Sequence, residues 1–266
     1  ASINFKNESN DSIFHDLKRI NSHRGPDQIS FLKKENYSII FRRLKIIDLS
    51  NKANQPFIDK RRGLKIIFNG EIYNYLEIKQ ELKKLNIRFE TKSDTEVILK
   101  SYIKWGMDFI HKLRGMFSIV IFDDQNKKVL FFRDRLGQKP LFYSFQKNNL
   151  ILSSEIKDII FFKKKISPNY QSIEKYLVRG WCDDNEKTFF TDIKNLKPGH
   201  VGIYSKKSFE IKRYWKLKYN SSNKYNREEF SELFKDNIKL HLRSDVPIAF
   251  TLSGGVDSTS IVKSSL

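Results

Sequence analysis

Apolar positions recur along this chain with two different periods, and the alternation between them outlines its elements. Residues 37–48 (YSIIFRRLKIID) are dense in β-branched and aromatic side chains, which predicts a strand or a strand pair. A second short run, residues 64–68 (LKIIF), is closed by Asn69-Gly70, a dipeptide suited to a tight turn. In the stretch that follows, Ile72, Leu76, Ile78, Leu82 and Leu85 stand near helical spacing, so a strand–turn–helix unit is predicted here. Residues 93–105 (SDTEVILKSYIKW) predict another helix, with Ser93 or Asp94 able to cap it. Residues 116–123 and 128–153 then carry four apolar segments, MFSIVIFD, KVLFFRD, LFYSF and LILSS. Short polar turns such as Asp123-Asp124-Gln125-Asn126 separate them, and the pattern reads as a β-meander in stacked antiparallel sheet.

From Lys163 onward the texture changes to short elements and loops. Pro198-Gly199-His200 marks a turn before VGIYS, and residues 220–226 (NSSNKYN) read as a polar linker. The expected domain boundary falls there, giving domains over residues 1–219 and 220–266. Asn226 with Glu229 fits a capping pair opening a helix whose apolar face is Phe230, Leu233, Phe234 and Ile238. Residues 247–252 (PIAFTL) read as a short buried strand, followed by Ser253-Gly254-Gly255-Val256-Asp257-Ser258 and the start of a helix. An α/β domain needs further strands to cover its sheet, so the second domain is expected to be a truncated beginning.

Composition narrows the classes of function. With 39% hydrophobic and 14% aromatic residues the chain is globular; it has no apolar run of eighteen residues and no charged-then-apolar leader. No membrane partner is expected, and the natural setting is cytoplasmic. Cys182 is the only cysteine, which excludes an internal disulfide framework and a cysteine-rich zinc site. The formal net charge of +19 raises the question of a nucleic-acid partner. The lysines are scattered, however, and Lys, Asn, Ile and Phe are enriched throughout, as AT-biased codons would produce. Compositional bias is the reading adopted, and no nucleic-acid partner is expected.

The strongest local signal is SGGVDS between an apolar run and a helix start. Glycines allow backbone N–H groups to approach an anion, and the helix N-terminus adds a favourable dipole. The hydroxyls of Ser253 and Ser258 can donate to phosphate oxygens, and Asp257 can meet a phosphate-bound Mg²⁺. The arrangement resembles the pyrophosphate-binding loop of the ATP pyrophosphatase class, which makes Ser253, Gly254, Gly255, Asp257 and Ser258 the candidate ATP site, with Mg at Asp257. A second signal is Asn69-Gly70 within FNGEIYN. An isolated Asn-Gly is usually a hairpin turn; its functional reading is an oxyanion hole, an amide N–H₂ and a backbone N–H aimed at one oxygen.

Four further strings decide between these readings: His23-Arg24-Gly25-Pro26-Asp27, Arg43-Leu44-Lys45-Ile46-Ile47-Asp48, Ser93-Asp94-Thr95-Glu96, and RDRLGQKPL from Arg133 to Leu141. Together they resemble, in content and order, the glutamine-hydrolysing asparagine synthetases, over essentially the whole chain. The resemblance implies an N-terminal-nucleophile hydrolase-like α/β/β/α sandwich followed by the start of an adenine-nucleotide α-hydrolase-like α/β domain. It implies a glutaminase in which an N-terminal Cys attacks the glutamine side-chain amide with its own α-amino group as base. Carried over, Asn69 and Gly70 form the oxyanion hole, and Arg43 and Asp94 clamp the α-carboxylate and α-amino group of glutamine. Glu71 and the backbone near Ile47 line the same pocket. Ammonia then reaches aspartate, activated as an acyl-adenylate by ATP on the SGGVDS loop. A homodimer is among the assemblies this family resemblance leaves open.

The chain departs from that pattern at its start, Ala1-Ser2-Ile3-Asn4-Phe5, where the family begins Cys-Gly-Ile. Either Cys is replaced by Ala at position 1 or a short preceding stretch is missing, and in both cases the chain as written is expected to lack glutaminase activity. Cys182 lies in RGWCDDNEKTFF, away from the pocket strings, and is read as a packing residue. His23 is read as structural. Arg133 and Asp134 are expected to pair and hold the meander. The acceptor stays open between aspartate and another carboxylate such as a surface-polysaccharide sugar acid, and a non-catalytic glutamine-binding module is the alternative of a different class.

Overall fold

Two six-stranded sheets organise the residues that the computed structural model describes, namely the backbone of 2–4 and residues 20–163, 165–181, 186–206, 208–219 and 226–265. The strands are β1 (Ser2–Asn4), β2 (Gln28–Lys33), β3 (Ser38–Arg43), β4 (Phe57–Asp59), β5 (Leu64–Ile72), β6 (Gly115–Asp123), β7 (Lys128–Arg133), β8 (Phe142–Gln146), β9 (Asn149–Ser153), β10 (Lys194–Asn195), β11 (His200–Ser205) and β12 (Phe209–Arg213). One sheet has the order β10-β8-β9-β1-β3-β2 and the other β12-β11-β7-β6-β5-β4. Antiparallel pairing runs through both.

Alternation builds the core between the sheets. Ile39 and Phe41 of β3, Tyr143 of β8, and Leu150 and Leu152 of β9 point one way. They interdigitate with Ile67 of β5, Val120 and Phe122 of β6, and Val129 and Phe131 of β7. The intervening residues Ile119, Ile121, Leu130 and Phe132 are also buried, so β6 and β7 read as continuous apolar runs because both of their faces are covered. Truncating a fully buried phenylalanine such as Phe131 costs about 3–5 kcal/mol. On the outer face of the first sheet, α4 (Ile156–Phe162) packs Ile159 against Ile151 and Ile193.

The expected meander is corrected in one respect. The hairpin β6–β7 belongs to the second sheet and β8–β9 to the first, so the chain changes sheets between them. Arg133 and Asp134 build that crossover. The fully buried Asp134 carboxylate accepts from the N–H groups of Phe117, Leu136, Gln138 and Lys139 at 2.9–3.2 Å. The Arg133 guanidinium donates to the carbonyls of Gly137, Lys139 and Leu196 at 2.7–2.9 Å. The Arg133 guanidinium also donates to Asn195 Oδ1 at 2.8 Å, so the bonds described tie both residues to their surroundings. Alternating apolar positions specify a strand but not the sheet it joins.

The chain divides into two compact units: Ala1–Lys45, Asn51–Glu71 and Gly115–Lys216 form one, and Ile46–Ser50, Ile72–Arg114 and Leu217–Leu266 the other. In the second unit, α1 (Tyr75–Lys84) packs on α2 (Asp94–Trp105), followed by the short α3 (Phe109–Lys112). Ser93 caps α2 by accepting the Thr95 N–H. Helix α1 buries Tyr75, Ile78 and Leu82, while Leu76 and Leu85 are exposed, because Ile72 still belongs to β5 and does not set the helical phase. Helix α6 (Arg227–His241) opens on Asn226, whose side chain accepts the Glu229 N–H, as the capping pair predicted. Of its expected apolar face Ile238 is buried, whereas Phe230 and Leu233 are exposed. Helix α5 (Tyr170–Arg179) lies in the first unit, and α7 (Val256–Ser265) follows the SGGVDS string.

Two further expectations are corrected. Strand β5 runs straight through Asn69-Gly70 instead of turning there. Residues 247–252 form no strand, and Ile248, Phe250 and Leu252 are exposed. A strand of a parallel sheet needs neighbours to satisfy its N–H and C=O groups, and no described strand pairs with this segment.

Candidate functional site

The first unit supplies Asn69, Gly70, Glu71 and Arg43. Gly70 has φ 154°, and a Cβ there would lie 2.0 Å from the Met116 carbonyl oxygen and 2.7 Å from the Phe117 Cα. Only glycine lets β5 pass so close to β6. Asn69, half-buried, directs Nδ2 toward Ser154 Oγ at 3.5 Å, the long limit of a hydrogen bond. Ser154 directly follows β9, and Ser153 before it is registered opposite Ser2 of β1. Asn69, Ser118, Ser153 and Ser154 line a cavity of about 20 Å³ with Phe41 and Leu152, space for a single water. Glu71 continues the strand. Arg43 ends β3, buried, with Nη1 3.2 Å from Asn54 Oδ1.

The HRGPD string braces this end of the sheet. Gly25 lies against the Arg42–Arg43 backbone, where a Cβ would approach within 2.7 Å. His23 and Arg24 both meet Glu155 Oε1, at 2.8 and 3.2 Å. Partial burial alone would raise the Glu155 carboxyl, but hydrogen bonds from Lys157, His23 and Arg24 outweigh it and hold the carboxyl down at about 2.

The second unit supplies Asp94 and Ile47. Asp94 is the first residue of α2, buried, and its carboxylate accepts the Ile72 N–H at 3.2 Å. Ile47 is buried, and the adjoining Asp48 adopts φ 56° with its carboxylate accepting N–H groups of Ser50 at 3.0 Å and Lys92 at 2.7 Å. Close by is Tyr75, whose hydroxyl is pushed up, first by burial and then by the carboxylates of Asp245 and Asp94. Sequence reasoning passed over Ser154, Asp48, Tyr75 and Asp245. The paired serines ending LILSS were the one visible signal, and the others are joined to the site through sequence separations no local pattern encodes.

In the SGGVDS loop, Gly254 has φ 80° and open space where a Cβ would stand. Ser253 and Ser258 hydroxyls lie 3.0 Å apart, and Ser258 donates to the Gly255 carbonyl at 3.1 Å. Asp257 is exposed in the first turn of α7. Among the described residues no group of three or more His, Cys, Asp or Glu could hold a metal ion. A single exposed carboxylate beside hydroxyls still fits Mg²⁺ of the kind carried mainly by substrate phosphates. Ala1 and Cys182 lie outside the described residues. No described helix is long and apolar enough to cross a membrane.

A family model described as a glutamine amidotransferase domain matches residues 1–215, and one described as asparagine synthase matches residues 229–264. The chain is 36% identical over 274 residues to glutamine-hydrolyzing asparagine synthetase 2 of Bacillus subtilis, covering 95% of this chain and 36% of that protein. It is 33% identical over 250 residues to amidase chry2 of Gibberella zeae, covering 90% of this chain and 36% of that protein. The chain thus spans little more than a third of either relative. Among solved structures, glutamine phosphoribosylpyrophosphate amidotransferase from B. subtilis, complexed with ADP and GMP, superposes with a TM-score of 0.60 at 16% identity. The match covers 80% of this chain and 49% of that one. That likeness shows the fold, the N-terminal-nucleophile hydrolase-like sandwich expected from the motifs.

Proposed function

Because the chain belongs to the glutamine amidotransferase domain family, we propose that it carries the glutamine-using part of an amide-forming ligase. The reaction assigned to the whole protein converts aspartate, glutamine, ATP and water to asparagine, glutamate, AMP and pyrophosphate. Given an N-terminal Cys, which the sequence as written does not show, the domain of residues 1–219 would release ammonia from glutamine, and the part beginning at residues 220–266 would activate the acceptor carboxylate as an acyl-adenylate.

Gly70 carries this reading. Its backbone is pressed so closely against Met116 that no side chain fits, and it follows an asparagine whose amide is half-buried. An amide N–H₂ and an adjacent N–H are the donors that the oxygen of a tetrahedral intermediate needs when a nucleophile adds to the glutamine side-chain carbonyl. Arg43 is assigned to the α-carboxylate and Asp94 to the α-amino group, with Glu71 and the Ile47 backbone completing the pocket. Ser253, Gly254, Gly255 and Ser258 are assigned to ATP phosphates. Asp257 would hold Mg²⁺, which would offset the phosphate charge.

The test is Asn69→Ala in the full-length protein. Loss of one oxyanion donor lowers kcat for glutamine hydrolysis by about 10²–10³ with KM little changed. An unaltered kcat would remove Asn69 from the site. The likeness to a fungal amidase favours a second reading, in which the acceptor is a carboxylate other than aspartate. Pyrophosphate release by the full-length protein with aspartate, compared with other carboxylates, separates the two.

A further inference from the structure

The residues assigned to glutamine in the second unit are held from a distant part of the chain. Residues 243–245 fall inside the segment matched to asparagine synthase, eight residues before the SGGVDS loop. Their contacts nevertheless run to residues 46–48 and 73–77. Arg243 Nη1 donates to the Tyr73 carbonyl at 2.6 Å, and the guanidinium grips both Glu77 carboxylate oxygens at 2.5 Å. The hydrogen bonds from Arg243 hold the Glu77 carboxyl below its ordinary range. Asp245 donates its N–H to the Ile46 carbonyl at 3.0 Å and accepts the Asp48 N–H at 2.7 Å. His241 lies with its ring centroid 3.8 Å from that of Tyr73.

Both arms of this turn converge on Asp94. From Asp245 the path passes to Asp48, whose carboxylate accepts the Lys92 N–H two residues before Asp94. From Arg243 it passes to Tyr73, the neighbour of Ile72, whose N–H bonds the Asp94 carboxylate. Asp48 is held at φ 56°, a conformation unfavourable for a residue with a side chain, and the bond from its N–H to Asp245 offsets that cost.

We infer that Arg243 and Asp245 are positioning residues for the glutamine pocket, fixing the 46–48 loop and the N-terminal end of α2 on which Asp94 stands. The inference rests on the assignment of Asp94 and Ile47 to glutamine. It adds that the segment leading into the phosphate-binding loop sets the affinity of the glutamine side. The turn joins elements that two different family models describe, so movement of residues 246–258 would be felt at Asp94.

The test is glutamine calorimetry on the chain, with hydrogen exchange at Asp48 and Lys92 as a second readout. Asp245→Ala is expected to weaken glutamine binding by about ten-fold or more, the worth of one charge-assisted hydrogen bond. It also speeds exchange at Asp48 and Lys92. Asp245→Asn keeps an acceptor for the Asp48 N–H and restores affinity to within about three-fold, a rescue that general destabilisation would not give. If Asp245→Ala does not fold, Arg243→Gln carries the same expectation through the Tyr73 arm. Unaltered affinity in a folded Asp245→Ala or Arg243→Gln variant would overturn the inference while leaving the pocket assignment standing. An unaltered chain that binds no glutamine would overturn the pocket assignment itself, and this inference with it.

Discussion

Gly70 and Gly254 both stand at positive φ in motifs assigned to ligands, yet their surroundings are opposite. A side chain at Gly70 would collide with the Met116 carbonyl at 2.0 Å, whereas at Gly254 it would meet nothing within 4 Å. In the sandwich, glycine is demanded by the neighbouring strand, so the motif is part of the packing. In the SGGVDS loop, glycine is demanded by the backbone conformation and by whatever approaches it, so the motif is free of the core. The same distinction separates Asp134, whose carboxylate satisfies four amides of the crossover from within, from the exposed Ser253–Ser258 loop. A site built into a core is pre-formed, and a loop outside one owes its shape to local bonds such as that of Ser258 to Gly255.

The largest expected effect lies on the packed side. Gly70→Ala combines overpacking with a disfavoured φ and is expected to cost on the order of 3 kcal/mol or more, lowering Tm by roughly 6–12 °C. A Tm within about 2 °C of the unaltered chain would break the comparison. Next comes ligand affinity. Asp94→Ala removes the carboxylate assigned to the glutamine α-amino group and is expected to weaken binding about ten-fold to more than a hundred-fold, read by calorimetry. Equal affinity in the variant would detach Asp94 from the pocket.

The Glu155 brace gives a pH signature. Its folded-state carboxyl sits at about 2, below the ordinary 4.5, so its stabilising contribution is present above about 4.5 and is lost as pH falls toward 2. Glu155→Gln should therefore reduce stability at pH 6 and converge with the unaltered chain near pH 2, measured by denaturant titration at several pH values. A constant difference across that range would show that His23, Arg24 and Lys157 do not stabilise the charged form. The smallest effect is expected at Gly254→Ala. With open space for the methyl, only the backbone penalty of about 1 kcal/mol applies, moving Tm by no more than roughly 2–4 °C. A fall as large as that for Gly70→Ala would mean that the loop is packed after all.

Much of this arrangement is legible residue by residue. Capping by Ser93 and by Asn226 follows from local hydrogen-bonding chemistry, and both caps form as read. The apolar runs of 116–123 and 128–153 become strands because β-branched and aromatic residues suit a pleated, buried surface. The order of the motifs was enough to name the fold, since several short strings in register constrain a chain more than any one of them. What misled was local chemistry taken alone. Asn69-Gly70 looks like a turn, and residues 247–252 look like a strand, because propensity says nothing about the partner that a backbone must find.

The sequence by itself therefore determined most of the elements, the caps and the sandwich class, and it proposed the residues assigned to chemistry. Each of these depends on neighbours a few positions away or on the recurrence of whole motifs. Tertiary structure alone decided that β8–β9 and β6–β7 belong to different sheets, and that Asn69 faces Ser154 across 85 positions. It alone brought Asp245 to Asp48 across 197 positions. Such contacts form only when burial of the rest of the chain brings distant segments together, and a local pattern contains no record of which distant group will arrive.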